Sequence, residues 1–165
     1  MARNDIRAAA GLLRHYLEFI FAEICHDLRA LVEFRGDAQF QLGDLLPAAA
    51  GKLGTLLREG KAAAQSWGKS DDFKTIEALE ALLKARYAAT TADRWQVNAA
   101  VHYNAWAGLA KEDFEPVVAA HRELMQSFSC SNPKCLGLLY VQPERGTREG
   151  VRCACGDTNI NLRKK

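Results

Sequence analysis

The sequence has no long apolar run and little net charge, and each shortage excludes a class of protein. None of its apolar stretches reaches the roughly 18 residues that a membrane-spanning helix needs. Residues 1–7 carry charges where a secretory signal has its apolar core, so we expect neither export nor membrane insertion. With 22 basic and 20 acidic residues, the chain as a whole lacks the strong positive charge of a dedicated nucleic-acid binder.

The sequence also lacks a phosphate-binding loop and an even set of cysteines. The segment Gly51-Lys-Leu-Gly-Thr55 has its lysine directly after the first glycine, and no strand precedes it, so we expect no nucleotide hydrolysis by this chain. Its five cysteines leave one unpaired, which suits a reducing compartment better than a disulfide scaffold. We therefore expect a cytoplasmic protein.

Four of the five cysteines lie close together near the C-terminus and dominate the sequence. Cys130 and Cys135 form one pair, Cys153 and Cys155 form a second, and two short β-like runs around a turn separate them. Such a hairpin brings four thiolates around one tetrahedral Zn²⁺. A segment of about 35 residues cannot bury enough apolar surface to fold alone, so a structural zinc is the expected stabiliser.

Two other interpretations of the four cysteines stay open. They are free thiols without a metal, or Cys153 and Cys155 form a redox pair, although no helix N-terminus is evident to lower a thiol pKa. If zinc binds, four protein ligands leave no open coordination position, so the metal is structural and not catalytic. Cys25 lies beside an apolar stripe and is expected to be a small buried hydrophobe.

Basic residues are concentrated in the same C-terminal segment. Residues 130–165 hold seven Lys or Arg against three acids, a formal +4, while the rest of the chain is −2. A bound Zn²⁺ with four thiolates lowers the segment to about +2. A basic zinc ribbon that contacts phosphates is one functional hypothesis. Its candidate residues are Arg145, Arg148, Arg152, Arg163, Lys164 and Lys165.

The remainder of the chain has the apolar periodicity of helices with short connections, which predicts an all-α antiparallel bundle. The expected organisation is a bundle over residues 1–128 and a Cys₄ ribbon with a basic tail over 129–165. Residues 61–70 are predicted to be a connection, and Ile76, Leu79, Leu82 and Leu83 the inner face of the third helix. The five predicted helices cover residues 4–33, 44–60, a segment beginning at Ser70, 91–102 and 112–128.

Three polar residues near the middle of the chain form the candidate catalytic set. Arg94, Asn98 and His102 follow one another at four-residue spacing, so on a helix they share one ledge. An arginine for phosphate charge, an amide for orientation and a histidine for proton transfer are components of a metal-independent ribonuclease. The alternative is an ordinary solvated helix face. His121 lies between apolar residues and is expected to be a hydrogen-bonded core histidine.

The chain resembles a known family in three segments: residues 40–46, residues 97–104 and the cysteine-rich end. These are similar to the C-terminal region of large bacterial coiled-coil P-loop ATPases, which are related to SMC-like and anti-phage defence ATPases. The helical part, residues 4–128, resembles a HEPN domain, an α-bundle of prokaryotic RNases and of non-catalytic binding partners. The resemblance implies a homodimer, an ATPase as partner or as parent chain, and RNA as a possible target.

The resemblance also bears on the candidate catalytic set. The family motif places an arginine, then a polar residue, then a histidine four to six positions after the arginine. Asn98 and His102 match the last two, but Val97 occupies the arginine position and Arg94 is the nearest arginine. The expected function is therefore a non-catalytic or weakly catalytic interaction module of an ATPase system. The alternatives are a ribonuclease that uses His102 with Arg94, and a ribbon-led nucleic-acid binder.

Overall fold

A computed structural model describes residues 6–33, 36, 40–101, 111–142 and 150–165. Within these residues the chain forms four helices followed by a small sheet. The helices are α1 (Ile6–Leu28), α2 (Leu42–Ser66), α3 (Ser70–Val101) and α4 (Lys111–Gln126). The strands are β1 (Tyr140–Gln142), β2 (Gly150–Arg152) and β3 (Asn159–Asn161).

Helix α1 buries one apolar stripe and ends earlier than the sequence predicts. Leu17, Phe21, Ile24 and Leu28 recur at three- or four-residue spacing and are all buried. The helix stops at Arg29, which has φ +56° and closes a turn in which the Ala30 N–H donates to the Cys25 carbonyl at 2.8 Å. The prediction of helix through residue 33 is therefore wrong by about one turn.

Helix α2 is longer than predicted at its C-terminal end. Its alanines at 63 and 64 are buried, and alanine is the best helix former, so the helix continues through the segment predicted to be a connection. It ends in a turn at Gly68, φ +68°, where the Lys69 N–H donates to the Ala64 carbonyl at 2.9 Å. The connection to α3 is thus only residues 67–69.

Helix α3 is continuous where the sequence predicts two helices. Thr90 directly precedes the helix predicted over residues 91–102, but its side chain is fully buried and its Oγ1 donates to the Tyr87 carbonyl at 2.8 Å. A hydroxyl that bonds back to the preceding turn leaves the helix unbroken. The described residues therefore contain four helices and not five.

The inner face of α3 is also narrower than predicted. Ile76 and Leu83, seven residues apart, are buried, but Leu79 and Leu82 remain 42% and 43% exposed. All four residues were predicted to face inward, and the prediction is wrong for Leu79 and Leu82. They line instead a groove between α3, α4 and the segment that follows α4.

The ribbon and the helices share one buried cluster. Phe21 of α1 packs edge-to-face on Phe128 with ring centroids 5.6 Å apart. Val151 and Ile160 of the sheet belong to the same cluster as the helical leucines. Strand β3 approaches α2 closely at Gly60, where an added Cβ would lie 2.5 Å from Ile160 Cγ2. A larger residue at this position would therefore push Ile160 away from the helix.

The structure confirms a mostly helical chain with a small C-terminal antiparallel sheet. The HEPN-like assignment and the division at residue 128 stay predictions. No helix in the described part of the chain has the length and apolar character needed to cross a membrane.

Candidate metal centre

The sheet presents two loops that carry the four clustered cysteines. Its strands are antiparallel in the order β1-β2-β3, with Val141 opposite Val151 and Val151 opposite Ile160. The predicted hairpin of β1 and β2 is confirmed, and β3 is an additional strand. We name residues 130–137, which precede β1, the first knuckle, and residues 153–158, between β2 and β3, the second knuckle.

Backbone hydrogen bonds close the first knuckle into a loop. The Cys130 N–H donates to the Gly137 carbonyl at 2.9 Å, and the Cys135 N–H donates to the Asn132 carbonyl at 2.9 Å. Leu136 has φ +49°, a left-handed conformation that favours glycine. This turn aims both sulfurs of the knuckle to the same side.

The second knuckle repeats this construction in fewer residues. The Cys153 N–H donates to the Thr158 carbonyl at 3.2 Å, and the Gly156 N–H donates to the Cys153 carbonyl at 3.1 Å. Gly156 has φ +85°, a left-handed conformation that glycine adopts without steric cost. A hydrogen bond from Asn132 Nδ2 to Asp157 Oδ2 joins the two knuckles.

The four sulfurs converge on one point. All four lie within 4.8 Å of one another, with Cys130 Sγ 3.6 Å and Cys153 Sγ 3.4 Å from Cys155 Sγ. A tetrahedron with metal–sulfur bonds of about 2.3 Å has sulfurs about 3.8 Å apart. The predicted thiol cluster is therefore confirmed, and its dimensions are compatible with a metal site.

Backbone N–H groups surround the sulfurs. The Asn132 N–H donates to Cys130 Sγ at 3.4 Å, and the Thr158 N–H donates to Cys153 Sγ at 3.2 Å. In the same way the Gly137 N–H donates to the Cys135 sulfur, and the Asp157 N–H donates to the Cys155 sulfur. Three of these donors lie two residues after the cysteine that they contact. Hydrogen bonds to sulfur favour the thiolate and orient it, as outer contacts do in metal sites. The donor set thus fits a cation bound by four thiolates.

The thiol pKa values show how strongly the four groups interact. Burial raises the pKa of Cys153, but the Thr158 N–H and the neighbouring thiols outweigh it and lower that pKa to about 6. At Cys155 the Asp157 N–H lowers the pKa, whereas burial and the three other sulfurs raise it to about 12. Four adjacent thiolates repel one another, so a cation among them removes the conflict.

The structure also shows the surroundings of Cys25 and of the alternative redox pair, Cys153 and Cys155. Cys25 is 4% exposed, its Sγ donates to the Leu45 carbonyl at 3.3 Å, and burial raises its pKa to about 11. The prediction of a small buried hydrophobe is confirmed. Cys153 and Cys155 lie on a loop between two strands. They are not at a helix N-terminus, the position at which many redox cysteines have their pKa lowered.

The candidate catalytic set remains untested by the structure. His102 lies outside the described residues. Arg94 and Asn98 belong to α3, but the structure describes only their backbone and not their side chains. His121 is fully buried, and its Nδ1–H donates to the Val117 carbonyl at 2.8 Å. The prediction of a hydrogen-bonded core histidine is confirmed.

The structure describes four of the six candidate phosphate-binding residues, so their role stays a prediction. Arg145 and Arg148 lie outside the described residues, and Arg152 is partly buried in β2. The C-terminal tail is attached to the end of α2: the Lys165 N–H donates to Ser66 Oγ at 2.8 Å. The tail is also held by Trp67, whose Nε1–H donates to the Arg163 carbonyl at 2.9 Å.

Sequence reasoning missed the polar residues that complete the knuckles. Asn132, Asp157 and Thr158 each lie within five residues of a cysteine ligand and bond either a sulfur or the opposite knuckle. The available signal was their position in tight loops, since Asn and Asp bond nearby backbone in turns. Leu136 carries no such signal, because leucine is rare in left-handed backbone.

Comparisons with known proteins identify no relative. No protein-family model matches the chain, and no curated protein or solved structure matches it.

Proposed function

We propose that the protein is a non-enzymatic interaction module whose ribbon is stabilised by one structural Zn²⁺ on Cys130, Cys135, Cys153 and Cys155. The observation that carries the proposal is the convergence of four sulfurs within 4.8 Å, each with a backbone N–H donor. Zinc is the metal that a soft, tetrahedral four-thiolate set favours among non-redox cations.

The chemistry of such a site supports a structural role. Four protein ligands occupy every position of a tetrahedral zinc, so no water or substrate reaches the metal. In the described part of the chain, no second group of three or more Cys, His, Asp or Glu side chains is arranged to hold a metal. What zinc would supply is a covalent-strength link between two knuckles, which keeps the surfaces beside them rigid.

The family resemblance supplies the wider context of the proposal. A HEPN-like bundle of the non-catalytic type, attached to a defence-type ATPase system, would use its surface for binding. Val97 at the arginine position supports this over catalysis, since a valine cannot stabilise phosphate charge. Dimerisation, an ATPase partner and RNA binding come with the same resemblance and stay predictions.

Two measurements on the purified full-length chain test the proposed function. We expect close to one zinc per chain by elemental analysis without added metal, and little cleavage of single-stranded RNA or tRNA in EDTA. Well under one zinc per chain would contradict the structural-metal part. Efficient cleavage that His102→Ala abolishes would replace the interaction module with the ribonuclease. Cleavage that persists in His102→Ala would indicate a contaminating nuclease.

A further inference from the structure

An apolar groove runs between α3, α4 and the first knuckle. Its volume is about 630 Å³, and its floor includes buried leucines of α2. Leu79 and Leu82 of α3 line one side, Met125 of α4 another, and Leu136 of the first knuckle forms the opposite lip. The volume falls in the range of about 300–1,000 Å³ typical of ligand-binding clefts.

The exposed leucines of this groove are not explained by packing within the chain. Leu79, Leu82 and Leu136 are 42%, 43% and 73% exposed, yet all three face one depression. Apolar side chains that are exposed together in one concave surface are typical of interaction sites, unlike apolar residues scattered singly over a surface. The remaining apolar surface of α1, around Leu12 and Phe19, does not contribute to the groove.

Leu136 combines exposure with backbone strain. Its φ of +49° is a conformation that glycine adopts without cost, and the equivalent position of the second knuckle is Gly156. A leucine here neither fills the core nor suits the turn. Strain that is retained at an exposed position indicates a role for the side chain outside folding.

The charge of the groove defines the chemistry of its occupant. Among the described residues that line it, Arg86 and Arg122 are the charged ones, and no Asp or Glu is present. The Arg86 guanidinium donates to the neutral Ser127 Oγ and Gln126 Oε1, both at 3.1 Å, so its charge is not neutralised by those contacts. Carboxylates are the natural partners of two such arginines.

The shape of the groove favours a peptide over a compact ligand. Leu79, Leu82 and Arg86 follow one another along seven residues of α3, a rise of about 10 Å. The described lining holds no aromatic side chain for base stacking, which disfavours single-stranded nucleic acid. An amphipathic segment with apolar anchors and flanking acids matches this surface.

We propose that this groove binds an acidic peptide segment of a partner protein that inserts apolar side chains between Leu79, Leu82 and Leu136 and pairs its carboxylates with Arg86 and Arg122. The inference rests on the proposed function, because zinc holds the first knuckle in place as one wall of the groove. It adds the class of the partner and the residues that select it.

The test is a selection with a phage-displayed library of random 12-residue peptides on the zinc-loaded full-length chain. Enriched peptides are expected to carry a net negative charge and at least two large apolar residues. Their affinities are then measured on three variants by fluorescence polarisation. Leu136→Gly and Arg122→Glu are expected to weaken binding at least tenfold, whereas Arg58→Glu, an exposed arginine outside the groove, is expected to leave it unchanged.

Leu136→Gly separates binding from folding, because glycine relieves the strained backbone and is expected to keep the zinc content and thermal stability. If this variant loses zinc, Arg122→Glu alone decides the question. Enrichment of basic peptides, no enrichment, or peptides that bind both groove variants normally would overturn the proposal. So would a 20-nucleotide single-stranded RNA whose binding depends on Leu136, or a wild-type dimer that becomes monomeric in Leu136→Gly. A zinc-free wild-type chain would instead refute the proposed function.

Discussion

Each of the two knuckles carries two of the clustered cysteines, but the knuckles differ at the residue that turns the backbone. In the second knuckle Gly156 adopts φ +85°, whereas in the first knuckle Leu136 adopts φ +49° with 73% of its surface exposed. A left-handed conformation costs a non-glycine residue roughly 1–2 kcal/mol. The second knuckle therefore has a glycine where the turn needs one, whereas the first has an exposed leucine in a conformation that costs it stability.

The largest expected effect is the loss of the proposed zinc site, which uses two cysteines from each knuckle. Cys135→Ser and Cys153→Ser, one in each knuckle, are both expected to abolish zinc binding, because three thiolates do not retain a structural site. Residues 129–160 should unfold while most of the helical circular-dichroism signal remains, since α1 and α2 pack on each other. Zinc analysis and far-ultraviolet circular dichroism measure both effects.

A variant that keeps a full zinc equivalent would exclude its cysteine from the site. The control is Cys25→Ala, which changes a buried thiol outside the knuckles and is expected to keep one zinc per chain.

A second prediction makes the second knuckle resemble the first. Gly156→Leu forces a leucine into left-handed backbone and is expected to lower the free energy of unfolding by about 1–2 kcal/mol. The side chain itself has room, because no atom lies within 4 Å of an added Cβ. Urea denaturation of the zinc-loaded chain measures the change, and unchanged stability would show that the strain assigned to this position does not exist.

The reverse exchange is expected to have a smaller effect of opposite sign. Leu136→Gly relieves the left-handed strain but gives the unfolded chain more conformational freedom, so the net gain should be about 0.5 kcal/mol. A loss of stability in urea denaturation would mean that Leu136 contributes to packing, and that the first knuckle is not strained in favour of binding.

The smallest predicted effect uses Cys25 as a reference thiol outside both knuckles. Zinc removal by a chelator at pH 8 is expected to unfold the ribbon, which separates its four thiols and ends the mutual repulsion that raises the Cys155 pKa, so all four should react with iodoacetamide faster than Cys25. Burial raises the Cys25 pKa to about 11, so this group stays protonated and unreactive while the fold holds. Mass spectrometry of the alkylated chain counts the modified sites. Equal modification of all five would contradict the burial of Cys25 in the chelated protein.

The local chemistry of the ribbon was predictable, whereas the lengths of the helices were not. The paired cysteines and the hairpin between them follow from residue types at short range. Thr90 has the appearance of a helix cap in the sequence, but burial directs its hydroxyl to the Tyr87 carbonyl. Helix continuity there depends on tertiary packing, which local patterns do not contain.

The third strand and the groove illustrate the same limit. Asn159-Ile160-Asn161 is too short and polar to predict a strand, and it pairs because Ile160 reaches Gly60 of α2. Leu79 and Leu82 have the spacing of core residues, and only the position of α4 and the first knuckle shows that they line a surface. Contacts between segments distant in sequence determine both features.

The most direct measurement for the whole account is zinc X-ray absorption on the purified full-length chain. We predict a first coordination shell of four sulfur atoms at about 2.3 Å and no nitrogen or oxygen ligand. That result would establish a closed, structural site shared by the two knuckles. A shell with fewer sulfurs and a nitrogen or oxygen atom at about 2.0–2.2 Å would contradict it, because an open or mixed site is not the four-thiolate link on which the account depends.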